Sequence, residues 1–356
     1  ASDGSEDCSA AIQASIEACS PTGTVLLPAG GVFPVSRPLV ITQTGDVTLR
    51  VDGVLAVNGD PNVWPPRASV LTAINAGGLA ITGHGTVDGN GSAWWAAGAV
   101  DGPTLINATQ SGGVVVSNLS LVNPPHTAVV AWRGSGVSIV NVSITAPTNV
   151  SGVDGVYMTA TSGTSVRASN ISVGGACVAV AVDNSNIEVA GVHCHGGGRG
   201  FTVGPVFVGG VSNVQFANCS ATRTEFGVYV QTIPGGGRGV VTNVHVTNFT
   251  LNGVGTGFLV DQYCRGKPAF PEFCTNVTGN DTNPETVQVT GFTAANVSGT
   301  YTSSPGQFLC ADALACAGFS LQNVSLLAAT GHAGAGWVCH NVEESNSASV
   351  APRACF

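Results

Sequence analysis

Acid–base chemistry in this chain has to come from few groups: 20 Asp and Glu and 11 Lys and Arg are spread over 356 residues. Asp154, Asp183, Glu225 and Asp261 stand beside short alternating apolar stretches, and His126, Tyr157 and Tyr229 fall on the same pattern. Two facing carboxyl groups could divide the work, one giving a proton and the other taking one. Asp154 with Glu225 is one pair that could in principle do so. The plainer reading, which the turn-rich context favours, makes both of them turn residues with ordinary hydrogen bonds. Cys194 between His193 and His195 resembles a fragment of a metal site, but no second ligand cluster accompanies it. The twin Gly-Gly-Gly-Arg-Gly segments at 196–200 and 235–239 lack the Lys-Ser/Thr and the helix of a phosphate loop. Calcium would want clustered carboxylates. No metal and no cofactor is expected.

The elements that position these groups follow one pattern, apolar-x-apolar-x-Asn/Gly. It reads Leu79-Ala-Ile-Thr-Gly83, Val114-Val-Val-Ser-Asn118, Val137-Ser-Ile-Val-Asn141 and Val166-Arg-Ala-Ser-Asn170. It continues as Ile187-Glu-Val-Ala-Gly191, Val214-Gln-Phe-Ala-Asn218, Val244-His-Val-Thr-Asn248, Val287-Gln-Val-Thr-Gly291 and Phe319-Ser-Leu-Gln-Asn323. The pivots are mostly about 21 to 35 residues apart, a period that signals a solenoid and is short for four-stranded propeller blades. Period-two alternation with β-branched residues predicts half-buried strands. Asn or Gly at each pivot supplies the left-handed backbone of a sharp corner. The expected fold is all-β, a single-stranded right-handed parallel β-helix forming one domain over 1–356. Residues 8–19 carry helical spacing and predict a short capping helix within an N-terminal cap, 1–22. The stretch 261–285 breaks the rhythm and predicts a protruding disulfide loop, and 326–356 a C-terminal cap.

Composition narrows the setting. Charged residues are 9% of the chain, against roughly 25% in ordinary soluble proteins. The net charge of −9 leaves no basic stripe for nucleic acid. No apolar run approaches the roughly 20 residues of a membrane span. The chain opens Ala1-Ser2-Asp3 without an initiator Met, which predicts removal of an upstream secretory signal. Eleven cysteines point to an oxidising, extracellular setting. Proximity suggests Cys8 with Cys19, Cys177 with Cys194, Cys264 with Cys274, Cys310 with Cys316, and Cys339 with Cys355, although spacing alone does not fix pairing. Cys219 is left over, inside a strand pattern, and is expected to be a buried thiol.

Asn-x-Ser/Thr acceptors abound. Those at the pivots (Asn118, Asn141, Asn170, Asn218, Asn248 and Asn323) are expected inside, stacked as a ladder and without glycans. Asn90, Asn107, Asn149, Asn276, Asn280 and Asn296 lie off the pivots and are the expected N-glycan sites.

Several segments together carry a resemblance: Cys8-Ser-Ala-Ala-Ile-Gln-Ala-Ser-Ile-Glu-Ala-Cys19, Gly23-Thr-Val-Leu-Leu-Pro-Ala-Gly30, Val47-Thr-Leu-Arg-Val-Asp-Gly53 and, most specifically, Ile81-Thr-Gly-His-Gly-Thr-Val-Asp-Gly-Asn-Gly-Ser-Ala-Trp-Trp95. The chain resembles the polygalacturonase family of glycoside hydrolases from roughly residue 7 to 325. The resemblance implies the motifs Asn-Thr-Asp, Gly-Asp-Asp-Cys, Gly-His-Gly and Arg-Ile-Lys. The first falls on Gly152-Val153-Asp154, keeping one aspartate. The second falls on Gly174-Gly175-Ala176-Cys177, where both carboxylates are gone. The third places Arg199 where the histidine would be. The fourth falls on Tyr229-Val230-Gln231, without its two cations. Cys177 and Cys194 keep the family's disulfide positions. Glycoside hydrolysis generally needs two carboxyl groups flanking the bond, and gripping galacturonate calls for paired cations.

The expected protein is therefore a non-catalytic, secreted, polygalacturonase-like glycoprotein of a wall, coat or filament, with polysaccharide or further copies of itself as partners. The alternative is an active glycoside hydrolase of altered specificity, with Asp154, His126, Tyr157, Arg199, Glu225, Tyr229 and Gln231 as groove residues.

Overall fold

The computed structural model describes residues 3–42, 45–98, 101–233, 237–263, 286–332 and 334–356. The architecture is a right-handed parallel β-helix, and every registered strand pair is parallel. The chain divides into two compact units, Ala1–Ala176 and Cys177–Phe356.

In the first unit three columns of short strands repeat rung by rung. One stacks Gly23–Leu27, Val47–Val51, Ala80–Thr82, Val115–Ser117, Ser138–Val140 and Ser165–Arg167. A second runs from Val32–Val35 to Asn170–Ser172. The third, which carries the candidate groups, stacks Leu39–Thr42, Ser69–Ile74, Thr104–Thr109, Val129–Trp132 and Val156–Thr159. Alternate residues point inward, so Leu39, Leu71, Ile106, Val129 and Val156 share one fully buried row.

In the second unit the strands lengthen, Gly239–Asp261 and Val287–Leu309 running around corners without a break. Its interior is aromatic: Phe201 meets Phe216 and Phe249 edge to face, at 5.4 and 5.1 Å between centroids.

The corners need positive φ, and Asn supplies it: Asn118, Asn141, Asn218, Asn248, Asn296 and Asn323 have φ between 52 and 57°. Their amides form ladders, Asn141 Nδ2 donating to Asn118 Oδ1 at 2.8 Å, and Asn323 to Asn296, Asn296 to Asn248 and Asn248 to Asn218 at 2.8, 3.1 and 3.1 Å. The ladders are exposed, not internal, because the left-handed corner turns the side chain away from the apolar rows. Asn296 belongs to the ladder and not off it. The pattern had taken Gly291, which sits at the preceding corner with φ 69°. Likewise the corner after Ser165–Arg167 is Ala168 (φ 49°), and Asn170 instead opens the next strand, exposed. Exposure therefore does not separate the pivot asparagines from Asn90 and Asn149, which are exposed too. Asn276 and Asn280 lie outside the described residues.

The helix Ser9–Cys19 forms as expected, burying Ile12 and Ile16 against the first rung. It also rules out one bridge. Cys8 and Cys19 stand at its two ends, roughly 16 Å apart at 1.5 Å per residue, whereas a disulfide needs Cα atoms within about 7 Å, and no bridge joins the two. The structure joins Cys177 to Cys194, Cys310 to Cys316 and Cys339 to Cys355. Cys264 and Cys274 lie outside the described residues. Cys219 is a buried thiol, its Sγ donating to Ala217 O at 3.2 Å, and burial pushes it up to about 11. Cys177 and Cys194 close a loop of sequence separation 17, so replacing both with alanine should lower the unfolding free energy by about 3 kcal/mol. Urea denaturation of the oxidised protein measures this.

Three boundaries move. A second short helix, Ser92–Ala96, buries Trp94. Asp261 ends a strand rather than opening a loop. Residues 326–356 hold a further partial rung, Val338–His340, Val342–Glu343 and Asn346–Ala351, paired onto earlier strands.

Candidate functional site

The two units each carry part of the candidate set, and each part has its own geometry. In the first unit Asp154 stands two residues before the strand Val156–Thr159, and Tyr157 lies on that strand's outward face, half-buried. His126 occupies the turn one rung earlier, its Nδ1 3.0 Å from Thr127 Oγ1. The Asp154 carboxylate is engaged with backbone: Ala176 N–H donates to Asp154 Oδ1 at 2.6 Å. At Gly175, a Cβ would lie 2.3 Å from Asp154 Oδ1 and 2.6 Å from Val153 O. The retained aspartate thus occupies the space that a side chain at 175 would need. Its observed contact is that of a rung clamp, holding the chain where the next strand begins.

In the second unit Arg199 and Glu225 each precede a strand that is buried at every position, Gly200–Val206 and Phe226–Thr232. Tyr229, on the latter, is fully buried against Phe226, Leu259, Tyr263 and Leu309. Its hydroxyl donates to Asp261 Oδ2 at 3.5 Å, and Tyr263 N–H donates to Asp261 Oδ1 at 2.9 Å. Burial, reinforced by the Asp261 and Glu225 charges and opposed by Arg199, raises the phenol far above its ordinary range. Tyr229 is thus a neutral hydrogen-bond donor at any working pH. Gln231, two residues along on the same face and registered against Asp261, is buried with neither amide atom hydrogen-bonded. A buried, unpaired amide is costly, which marks Gln231 as the least satisfied polar group of this set.

Some groups escaped the sequence reading. Tyr263 packs edge-on against His340 at 5.8 Å, and His340 Nε2 lies 2.5 Å from Asp312 Oδ1. That contact holds the Asp312 carboxyl below its usual range. Only the three-dimensional register brings these residues together. Trp132 was missed too, although the alternation of Val129-Val-Ala-Trp132 is the signal that places its indole on the outward face. Among the described residues no group of three or more His, Cys, Asp or Glu could hold a metal, and no helix is long and apolar enough to cross a membrane.

The profile of glycosyl hydrolases family 28 matches residues 23–350, and the chain belongs to that family. It is 26% identical over 348 residues to a polygalacturonase of Cryptomeria japonica, an alignment covering 92% of this chain and 66% of that one. It is 25% identical to polygalacturonase QRT2 of Arabidopsis thaliana, over 98% of this chain and 81% of the relative. Among solved structures it is similar to the endo-xylogalacturonan hydrolase of Aspergillus tubingensis, with a TM-score of 0.85 and 21% identity over 98% and 97% of the two chains. That last likeness speaks to fold alone.

Proposed function

We propose that this chain is a polysaccharide-associated extracellular glycoprotein on a polygalacturonase scaffold, and that it does not hydrolyse polygalacturonate. The observation that carries this reading is at Gly174–Cys177: no carboxylate stands there, and the space beside Gly175 is filled by Asp154, itself held by Ala176 N–H. A glycosidase needs a proton donor for the leaving oxygen and a carboxylate opposite it; neither Gly175 nor Ala176 can serve. The bridges of the second unit suit a secreted protein, and the abundant sequons suit glycan attachment.

The second reading, a hydrolase of altered specificity, draws on the buried Asp261–Tyr229 pair with Arg199 and Glu225 in electrostatic reach. Both Asp261 oxygens already accept hydrogen bonds, so it suits positioning better than activation of water. The deciding experiment incubates the purified protein with a panel of polysaccharides and measures binding and released reducing ends separately. Retention on a polysaccharide without release is the expected outcome. Steady release would sink the non-catalytic reading.

A further inference from the structure

The first unit's outward strand face mixes hydroxyl and amide side chains with the half-buried Val40, Ile74, Val130 and Tyr157, and it carries one exposed indole. Trp132 lies there 40% exposed, whereas Trp64, Trp94 and Trp337 are buried. Its lateral neighbours in register are Thr109 and Thr159. The preceding outward row is Asn107, Val130 and Tyr157. A threonine at position 132 would serve the sheet as well as its neighbours do, so the fold gives no reason for an indole. The surroundings are arranged around it. The guanidinium of Arg133, held at a left-handed corner with φ 51°, sits 4.9 Å from the ring centroid and covers one face. Arg133 makes no ion pair among the described residues. Thr109 Oγ1 donates to Asn107 Oδ1 at 2.8 Å, and Asn107 Nδ2 donates to Ser69 Oγ at 3.3 Å, which holds the Asn107 amide in one orientation on the row before Trp132.

We infer that Trp132, with Arg133, Asn107 and Tyr157, is a sugar-binding platform on which a pyranose ring of a polysaccharide stacks. An exposed aromatic ring bordered by a few fixed polar groups meets the two faces of a sugar's chemistry: the ring takes the apolar C–H face, while amide, hydroxyl and guanidinium groups meet the hydroxyls. Diagonal neighbours on adjacent strands lie about 7–8 Å apart, which sets the Tyr157 ring within reach of the next part of the same sugar chain. The guanidinium that restrains the indole lowers the ordering cost of binding. A second copy of this chain is the poorer occupant, because a stable protein interface buries on the order of 1,200–2,000 Å² and this patch offers one exposed indole with half-buried neighbours. The inference rests on the polysaccharide-associated reading and adds the residue that does the gripping.

The test uses the whole chain and its Trp132→Thr, Trp132→Tyr and Arg133→Gln variants, titrated with neutral xylo-, gluco- and galacto-oligosaccharides and with oligogalacturonate. Melting temperature and sedimentation serve as controls. Trp132→Thr should weaken binding at least tenfold with an unchanged melting temperature, and Trp132→Tyr should restore it to within about threefold. Salt-sensitive binding lost in Arg133→Gln would assign the ligand to the acidic sugars; binding indifferent to that change would assign it to the neutral ones. Equal binding by the parent and Trp132→Thr overturns the platform alone. A parent that binds no saccharide overturns the polysaccharide reading with it. A dimer that dissociates in Trp132→Thr would replace the sugar with a second copy.

Discussion

Aspartates installed at both Gly175 and Ala176 are expected to leave polygalacturonate uncleaved and to make the protein less stable. The two changes restore, on paper, the carboxylates that the family motif places there. In this chain the room for them is gone. A Cβ at 175 would stand 2.3 Å from Asp154 Oδ1 and 2.6 Å from a backbone oxygen, so the rung clamp between Asp154 and Ala176 N–H would have to open. Crowding of this kind costs roughly 1–3 kcal/mol, and like charges brought so close add to it. Loss of a positioned proton donor is worth typically 10²–10⁴ in rate, and a donor in the wrong place regains none of it. Reducing-end release and thermal melting follow the two effects. Hydrolysis returning in the double variant would mean that the groove kept its active geometry.

Gln231→Met should stabilise the protein by about 1–3 kcal/mol. Burying an amide whose nitrogen and oxygen both lack partners forfeits the hydrogen bonds both atoms make to water in the unfolded chain, a cost of that order for each unsatisfied group. Gln231 is 1% exposed and neither amide atom is paired. Methionine fills similar volume, is unbranched and carries no polar atom to satisfy. A position that lowers stability in the native protein is the kind of site where function outweighs packing. Urea denaturation measures the change; a variant less stable than the parent would show that the amide has a partner in solution.

The repeat was legible because two local rules agree in almost every rung: alternation of apolar residues and an Asn or Gly where the backbone must go left-handed. Which side of the wall the corner side chains occupy was not legible. Positive φ locates a corner, but the pattern alone does not say that the corner turns the ladder from Asn218 to Asn323 to solvent, away from interior rows that hold Phe216, Phe249 and Phe292. Two corners per rung both accept Asn or Gly, so Gly291 could pass for Asn296. Sequence proximity misled at Cys8 and Cys19, since the helix between them holds its ends apart.

At the site, aligned motifs showed which residue types were missing. They could not show that Asp154 fills the vacated space at Gly175, nor that Tyr229 and Asp261, 32 residues apart, meet in a buried pair. Those facts come from the stacking of rungs.

On the proposed reading, the remaining family aspartate holds backbone and does no acid–base work. Asp154→Asn tests it directly, because the asparagine oxygen can still accept from Ala176 N–H while its ionisation is removed. Reducing-end release from the polysaccharide panel should be at background for the parent and unchanged in the variant, with binding retained. Release by the parent that disappears in Asp154→Asn would contradict the account.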